Sequence, residues 1–439
     1  MALKPLRWLL PLALLLCFAP LHGAVKRKKA RVPAAPKVTA AARASALKKV
    51  DGYLEESAGH AIEQSGALVP VFESLYRQGA AENRAAVHII HFGDSHTAAD
   101  EWTGGLRDQF QQRFGDGGSG FSLAGKPFLG YRRFDARGGA TEGWKSEGLR
   151  SATGDGYFGL GGVSISTERA GQSVFLDAEC DSLEIDYLQQ PGGGRLALYE
   201  DDQRMDEFAT DGELRPGVAT FQPTPGKHRF TLRTLDNQPV RLFGWVADRT
   251  AGVSYEALGI NGAEAAVMLK WNDAMLATYL QRRNAGLIVL AYGTNEASDP
   301  YWKHESYPAM LSTLLDKLRA AAPAASILLL GPTDRWSKVK GKWQIYAGID
   351  AIVAAERNVA REHGCAFWDA RRRMGGEGAM RDWVYAGLGQ GDYVHFTAPG
   401  YHRLADALFA DLMRQYEEYT KVRTEPADQE THGQSNQDR

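Results

Sequence analysis

The sequence predicts an α/β protein: a parallel sheet covered by helices on both faces, interrupted by an inserted antiparallel β-sandwich. Three observations carry that reading. Apolar runs without polar alternation, at residues 87–92, 287–291, 327–330 and 366–368, alternate with segments of helical period, the pattern of strands buried on both faces. Between residues 131 and 250 the texture changes to short segments rich in Val, Phe, Tyr and Thr, separated by Gly, Pro and Asp clusters such as Pro191-Gly192-Gly193-Gly194. The first pattern stops before this stretch and resumes after it, so the sandwich interrupts the α/β domain.

At 439 residues and 44% hydrophobic content, the chain has room for two folded units. A formal net charge of -2 argues against nucleic acid as a partner. Residues 1–24 hold Lys4 and Arg7, an apolar stretch from Trp8 to Leu21 and the small pair Gly23-Ala24, which is the layout of a secretory signal peptide. Export to the periplasm or beyond follows, with an uncleaved membrane anchor as the alternative. Residues 25–50 are basic and rich in Ala, Val and Pro, with no acidic or aromatic side chain, and read as a linker. It is either a solvated spacer or a peripheral contact to an anionic cell-wall or membrane surface. Cys17 falls in the leading apolar stretch, and Cys180 and Cys365 are expected as isolated buried thiols rather than a disulfide.

The first part of the α/β domain spans residues 51–130. Helical spacing over 54–76 puts Leu68, Phe72, Leu75 and Tyr76 on one face, the strand at 87–92 ends at Gly93, and a helix follows over 101–114. The sandwich, 131–250, is expected to hold strands at 157–167, 173–177, 183–189, 195–199, 218–221, 228–234 and 240–246. The second part, 251–423, reads as helix 265–282, strand 287–291, helix 307–321, strand 327–330, helix 345–363, strand 366–368 and helix 401–419. Residues 424–439 are polar throughout and are expected to be a disordered tail.

Three short words in this frame carry chemistry: Gly93-Asp94-Ser95-His96, Gly293-Thr294-Asn295-Glu296 and Asp392-Tyr393-Val394-His395. Ser95 lies between a strand and a helix, at a strand's carboxyl end, where open α/β sheets place ligands. His395 can take the Ser95 hydroxyl proton and return it to a leaving alcohol, and Asp392, three residues earlier, can hold its other ring nitrogen. A tetrahedral intermediate needs hydrogen-bond donors at its oxygen. The side-chain amide of Asn295, the backbone N–H of Gly262 in Gly259-Ile260-Asn261-Gly262-Ala263, and the backbone N–H of Ser95 can supply them. This is the equipment for ester hydrolysis through a covalent acyl-enzyme.

With Ser95, Gly262, Asn295 and His395 at the four positions that name it, the chain resembles the SGNH (GDSL-type) hydrolase family over residues 65–130 and 251–420. The family's first block usually reads Gly-Asp-Ser-Leu, and His96 replaces the leucine. The stretches HIIHFGDSHTAAD and SYEALGINGA, flanking the β-rich insert, are similar to bacterial peptidoglycan O-acetylesterases. The resemblance implies a flavodoxin-like α/β/α fold in three layers, an insert resembling a carbohydrate-binding module, and removal of acetyl groups from the 6-hydroxyl of N-acetylmuramic acid.

Competing features read more plainly. His91, Asp94, His96 and Asp100 have residue types that suit zinc, but a strand residue, a turn acid and a wall of the site account for them, and neither metal nor cofactor is expected. The glycine-rich loops 115–120 and 192–194 lack the Gly-Lys-Ser/Thr ending of a phosphate-binding loop and read as turns. Trp102, Trp144, Trp302, Trp336 and Trp343 are candidates for stacking on sugar rings. The expected activity is that of an exported serine esterase acting, as a monomer, on an acetylated glycan. The alternatives are an acetyltransferase using the same residues, deacetylation of xylan or alginate, and a non-catalytic carbohydrate-binding protein.

Overall fold

The parallel sheet is ordered β2-β1-β3-β4-β5, where β1 is Val87–Gly93, β2 Val253–Gly259, β3 Ala285–Ala291, β4 Ser326–Leu330 and β5 Ala366–Trp368. A short antiparallel strand, Ile62–Glu63, lies against β5. This computed structural model describes residues 33–424 apart from 60, 81–84, 150–153, 300, 301 and 303–305. The order is that of the flavodoxin-like doubly wound sheets, in which ligands bind at the switch point between the first and third strands. Alternate residues of each strand feed opposite layers. Ile89, Val289 and Leu328 pack against Phe72 of α2 (Val69–Gly79), Leu106 and Phe110 of α3 (Glu101–Phe114) and Leu404 and Leu408 of α7 (Ala398–Thr424). Ile90, Leu290 and Leu329 pack against Leu276 of α4 (Asp273–Arg283), Leu314 of α5 (Ser306–Ala321) and Val353 of α6 (Ile349–Glu362). Such two-sided burial, about 1.5–3 kcal/mol for each large aliphatic side chain, is why these strands carry no polar alternation.

Strand β2 is the exception, and the sequence pattern did not reveal it. Its alternating Ser254 and Glu256 look solvent-facing, yet both are fully buried. Ser254 Oγ lies 2.8 Å from His88 Nδ1, and Glu256 accepts from Arg283 Nε at 3.1 Å. A buried charge is tolerable when paired in this way.

Two antiparallel sheets form the insert. One runs Gln203–Ala209, Arg195–Glu200, Lys227–Thr234, Ser173–Glu179, Arg137–Ala140. The other contains Arg215–Phe221, Ser182–Gln189, Val240–Asp248, Val163–Thr167 and Lys145–Gly148. Leu176, Leu198 and Leu232 from the first meet Ile185, Trp245 and Ala247 from the second in a core of their own. Phe243 and Val246 belong instead to the α/β core, with Tyr279 of α4. Tyr279 also donates from its hydroxyl to the Tyr187 and Gly217 carbonyls at 3.0 and 3.1 Å, so the second sheet is shared between sandwich and α/β domain.

Several boundaries differ from expectation. The sandwich begins before residue 131, because Gly118–Leu123 pairs with Val240–Asp248. The linker expected over 25–50 gives way to a helix, α1 (Ala40–Glu56), capped by Thr39, with Ala46 and Val50 buried beside Met380 and Trp383. Tyr53, just past the stretch that lacked aromatics, donates to Asp382 at 2.8 Å and pins α1 down. The helical pattern over 54–76 resolves into the end of α1, the short strand, a 3-10 turn at Ser65–Leu68 and α2, which Pro70 starts. The pattern over 265–282 is a 3-10 segment, Ala265–Lys270, followed by α4, whose cap Asn272 accepts from Met275 N. Residues 1–32, which hold the expected signal peptide and the start of the expected linker, and residues 425–439 lie outside the described residues. No described helix is long and apolar enough to cross a membrane. Cys180 and Cys365 are free and buried in separate cores.

Candidate active site

At the carboxyl end of β1 the chain turns sharply into a short helix, Ser95–Ala98. Glycine is required on both sides of the turn. A Cβ at Gly93 would stand 2.1 Å from Thr97 Oγ1, and one at Gly259 2.1 Å from Ala98 N. Asp94 caps the turn by accepting from His96 N at 2.8 Å. Burial pushes the Asp94 carboxyl up to about 6, against the pull of that bond and of His395. Ser95 is left half-buried at the switch point, between β1 and β3.

Across the sheet end, the loop before α7 brings His395 to Ser95: Nε2 lies 2.9 Å from the serine Oγ. His395 Nδ1 lies 2.8 Å from Asp392 Oδ2. Asp392 Oδ1 accepts from the backbone N–H groups of Val394 and His395, both at 3.0 Å. Burial alone would raise the Asp392 pKa, but its bonds to His395 and Val394 prevail and hold it below the usual carboxylate range. Burial likewise pulls His395 down, and Asp392's hydrogen bond and charge more than offset it, so the imidazole sits above its ordinary 6.5. An acceptor-only carboxylate fixes the proton on Nδ1 and leaves Nε2 free to accept from serine.

On the opposite side, the turn after β2 carries Gly262, at a φ of 70° that favours glycine. Asn295 follows β3, and its Nδ2 donates to Ala263 O at 2.8 Å and toward Asp94 Oδ2 at 3.5 Å. All five residues singled out from the sequence therefore stand at one end of the parallel sheet, with Ser95, His395 and Asp392 in one hydrogen-bonded chain.

Three supporting residues were missed. Glu296, fully buried, spans the two loops: Oε1 accepts from Ala265 N at 2.7 Å and Oε2 from Gly293 N at 2.9 Å. It thereby sets the spacing between the Gly262 and Asn295 loops, and burial, opposed by these bonds, pushes it up to about 8. Tyr393 takes a left-handed backbone, φ 57°, a strained conformation for an aromatic residue. Trp343 packs on its ring at a tilt of 35° with the centroids 4.5 Å apart, and Trp336 N donates to its carbonyl at 3.0 Å. Arg335 Nη1 donates to Thr294 O at 2.7 Å, tying the Asn295 loop to the start of the antiparallel hairpin Trp336–Val339 and Lys342–Ile345 that carries both tryptophans. Only the unusual sequence Asp-Tyr-Val-His itself hinted at the second of these.

The four residues that suit zinc by type face separate partners. His91 Nδ1 pairs with Tyr255 at 2.9 Å and His96 Nδ1 with Tyr401 at 2.9 Å, while Asp100 binds Arg107 and Thr103 at 2.8 Å. Burial drives both His91 and His96 down to about 3, so His96 is a neutral wall, its ring centroid 5.2 Å from that of His395. Of the tryptophans, Trp102 is a core residue, Trp336 and Trp343 brace Tyr393, and Trp302 donates to Glu264 at 2.9 Å. Trp144 lines a cavity in the insert.

Residues 228–403 match the GDSL-like lipase/acylhydrolase family. The match spans Gly262, Asn295, Asp392 and His395 and leaves Ser95 outside. A solved peptidoglycan O-acetylesterase is similar over 80% of this chain and 96% of its own, at 26% identity and a TM-score of 0.69. Family two carbohydrate esterases from Cellvibrio japonicus (13% identity, TM-score 0.27, 65% of this chain and 99% of that one) and Clostridium thermocellum (11%, 0.29, 58% and 95%) are more distant. No curated protein sequence matches. Residues 228–403 are similar to a GDSL-like lipase/acylhydrolase domain, and together with the likeness over 80% of the chain they mark the protein as a carboxylic ester hydrolase.

Proposed function

We propose that the protein is an exported esterase that removes O-acetyl groups from a cell-wall polysaccharide, O-acetylated peptidoglycan first among them, with Ser95, His395 and Asp392 as its catalytic residues. The observation that carries the mechanism is the chain Ser95 Oγ to His395 Nε2 to Asp392, at 2.9 and 2.8 Å, at the switch point of the sheet. The similarity to a peptidoglycan O-acetylesterase over 80% of the chain supports the substrate. Export rests on the layout of residues 1–24.

As Ser95 Oγ attacks the acetyl carbonyl carbon, its proton passes to His395 Nε2, and Asp392 stabilises the imidazolium. The new oxyanion is held by the N–H groups of Ser95 and Gly262 and by the Asn295 Nδ2 hydrogen that points toward Asp94 at 3.5 Å in the free enzyme, while the other stays on Ala263 O. Collapse breaks the bond to the sugar oxygen, which takes the proton from His395 and leaves as the alcohol. A water then gives a proton to His395 and attacks acetyl-Ser95. The ester bond to serine breaks, Ser95 recovers its proton and acetate is released.

The test is acetate release from 4-nitrophenyl acetate and from O-acetylated peptidoglycan, xylan and alginate. The reading requires that peptidoglycan be the best polymer and that Ser95→Ala abolish turnover. A Ser95→Ala variant as active as the parent would sink the mechanism. Accumulation of newly acetylated glycan from an acetyl donor would make the protein a transferase.

A further inference from the structure

The insert contains a cavity of about 530 Å³, within the range of ligand sites, far from Ser95 in sequence and unused by the mechanism. Trp144 lines it, held in place by its Nε1 donating to Ser173 O at 3.2 Å and by Gly143 N donating to Gln172 at 3.0 Å. A fixed indole is a ready platform for the apolar face of a sugar ring, since little side-chain freedom is lost on binding. Around it stand the polar side chains of Ser166, Thr167 and Gln190, the exposed cations Lys145 and Arg169, and the exposed acids Glu142 and Glu168. The remaining cation, Arg241, is neutralised by Asp155 and Glu147 at 2.6 and 2.8 Å. Balanced charge and many hydrogen-bonding groups suit an uncharged polyhydroxylated ligand better than a phosphate or a nucleic acid.

The cavity is also connected to the serine. Ser146, beside Lys145, donates to Pro127 O, and the same loop runs on to Gly130, where a Cβ would lie 3.0 Å from Asn261 Nδ2, next to Gly262. This loop is anchored. Arg133 is buried and donates to Phe121 O and Ser119 O at 2.6 Å, and Phe134 N donates to Asp100 at 2.7 Å. Yet the loop presents Leu129 and Phe134 to solvent, 83% and 61% exposed, an apolar surface on a rigid support between cavity and oxyanion turn.

We propose that the Trp144 cavity is a distal saccharide subsite, and that a glycan chain lies from it across the Leu129–Phe134 loop to Ser95. The proposal rests on the reading of the substrate as a glycan. It is tested in the intact chain with Trp144→Ala, with Trp144→Phe, which keeps an aromatic ring, and with Arg169→Ala, an exposed position whose change leaves the fold alone. The expected result is a loss of about tenfold in kcat/KM on O-acetylated peptidoglycan for Trp144→Ala, the scale of an aromatic anchor. Trp144→Phe should recover most of it, Arg169→Ala should lose a few-fold, and 4-nitrophenyl acetate should be hydrolysed as by the parent. Full polymer activity in Trp144→Ala and Arg169→Ala, or equal losses on both substrates, overturns the subsite. Should the parent be inert on every polymer, the glycan reading itself fails. Calorimetric titration of Ser95→Ala with N-acetylated oligosaccharides then decides the cavity alone: binding abolished by adding Trp144→Ala upholds it, and no binding overturns it.

Discussion

Replacing Asp392 by asparagine should harm catalysis more than replacing it by alanine, and the reason lies in two backbone hydrogen bonds. Asp392 Oδ1 accepts from the N–H groups of Val394 and His395, each at 3.0 Å, while Oδ2 faces His395 Nδ1 at 2.8 Å. In Asp392→Asn the amide oxygen has to stay at the Oδ1 position. Turning the amide over would set its NH₂ against two N–H donors, and each buried donor left unsatisfied costs about 1–3 kcal/mol. The NH₂ therefore points at Nδ1, which must become an acceptor, and the imidazole proton moves to Nε2. That nitrogen is 2.9 Å from Ser95 Oγ and can no longer take its proton. A triad held in the wrong tautomer loses about 10⁴ in kcat, about 5.5 kcal/mol of barrier. Asp392→Ala removes the orienting bond but leaves both tautomers accessible, so its loss should be smaller by about tenfold or more. The assay is kcat/KM for 4-nitrophenyl acetate near pH 7, with circular dichroism of each variant to establish that it is folded. An asparagine variant as active as the alanine one, or more so, would refute the argument.

The pH dependence follows from His395, whose pKa is raised above 6.5 by Asp392. Only its neutral form accepts the serine proton, so kcat/KM should rise with pH through an apparent pKa above 6.5, and that midpoint should move down in Asp392→Ala; an unchanged midpoint would contradict the pairing. Asn295→Ala should lower kcat by about 10²–10³ with little change in KM, as expected for a donor that meets the substrate in the transition state, and because Nδ2 also holds Ala263 O at 2.8 Å it should lower thermal stability as well. Glu296→Gln is close to isosteric, and with Glu296 pushed up to about 8 it changes little charge at neutral pH. An amide can accept at only one end, however, so one of the two backbone donors it bridges loses its partner, and thermal or urea unfolding should show a loss of about 1–3 kcal/mol along with a lower kcat.

Much of the fold was legible because its strands are buried on both faces and so announce themselves as uninterrupted apolar runs. Residues 87–92 and 287–291 both fall within observed strands of the parallel sheet. The same logic explains the omission of β2, whose Ser254 and Glu256 mimic a solvent-facing pattern while pairing with His88 and Arg283. Composition misled at residues 40–50 for a related reason. A helix rich in alanine needs few large side chains when Ala46 and Val50 meet a ready-made apolar surface, and nothing local reveals that surface.

The chemical groups were legible for a different reason than their supports. Ser95, Asn295 and His395 must each sit at the end of a strand or ahead of a helix, and strand and helix ends leave local marks in glycine, capping residues and proline. Their supports act across the fold. Glu296 reaches Ala265, 31 positions away, and His96 reaches Tyr401, 305 positions away. Nothing in the spacing of those residues marks the pairs. Tyr393 makes the same point at the triad itself: between Asp392 and His395 a left-handed turn is needed, glycine would adopt it freely, and the chain uses tyrosine instead. The strain is held by Trp343 and Trp336, so the His395 loop is made rigid from outside rather than by its own backbone preference. A glycine at 393 would remove the strain and the ring contacts together, leaving the loop to backbone bonds such as that from the Trp336 N–H to the residue 393 carbonyl; the packing of the tyrosine ring is therefore part of what keeps the 2.9 Å contact in place.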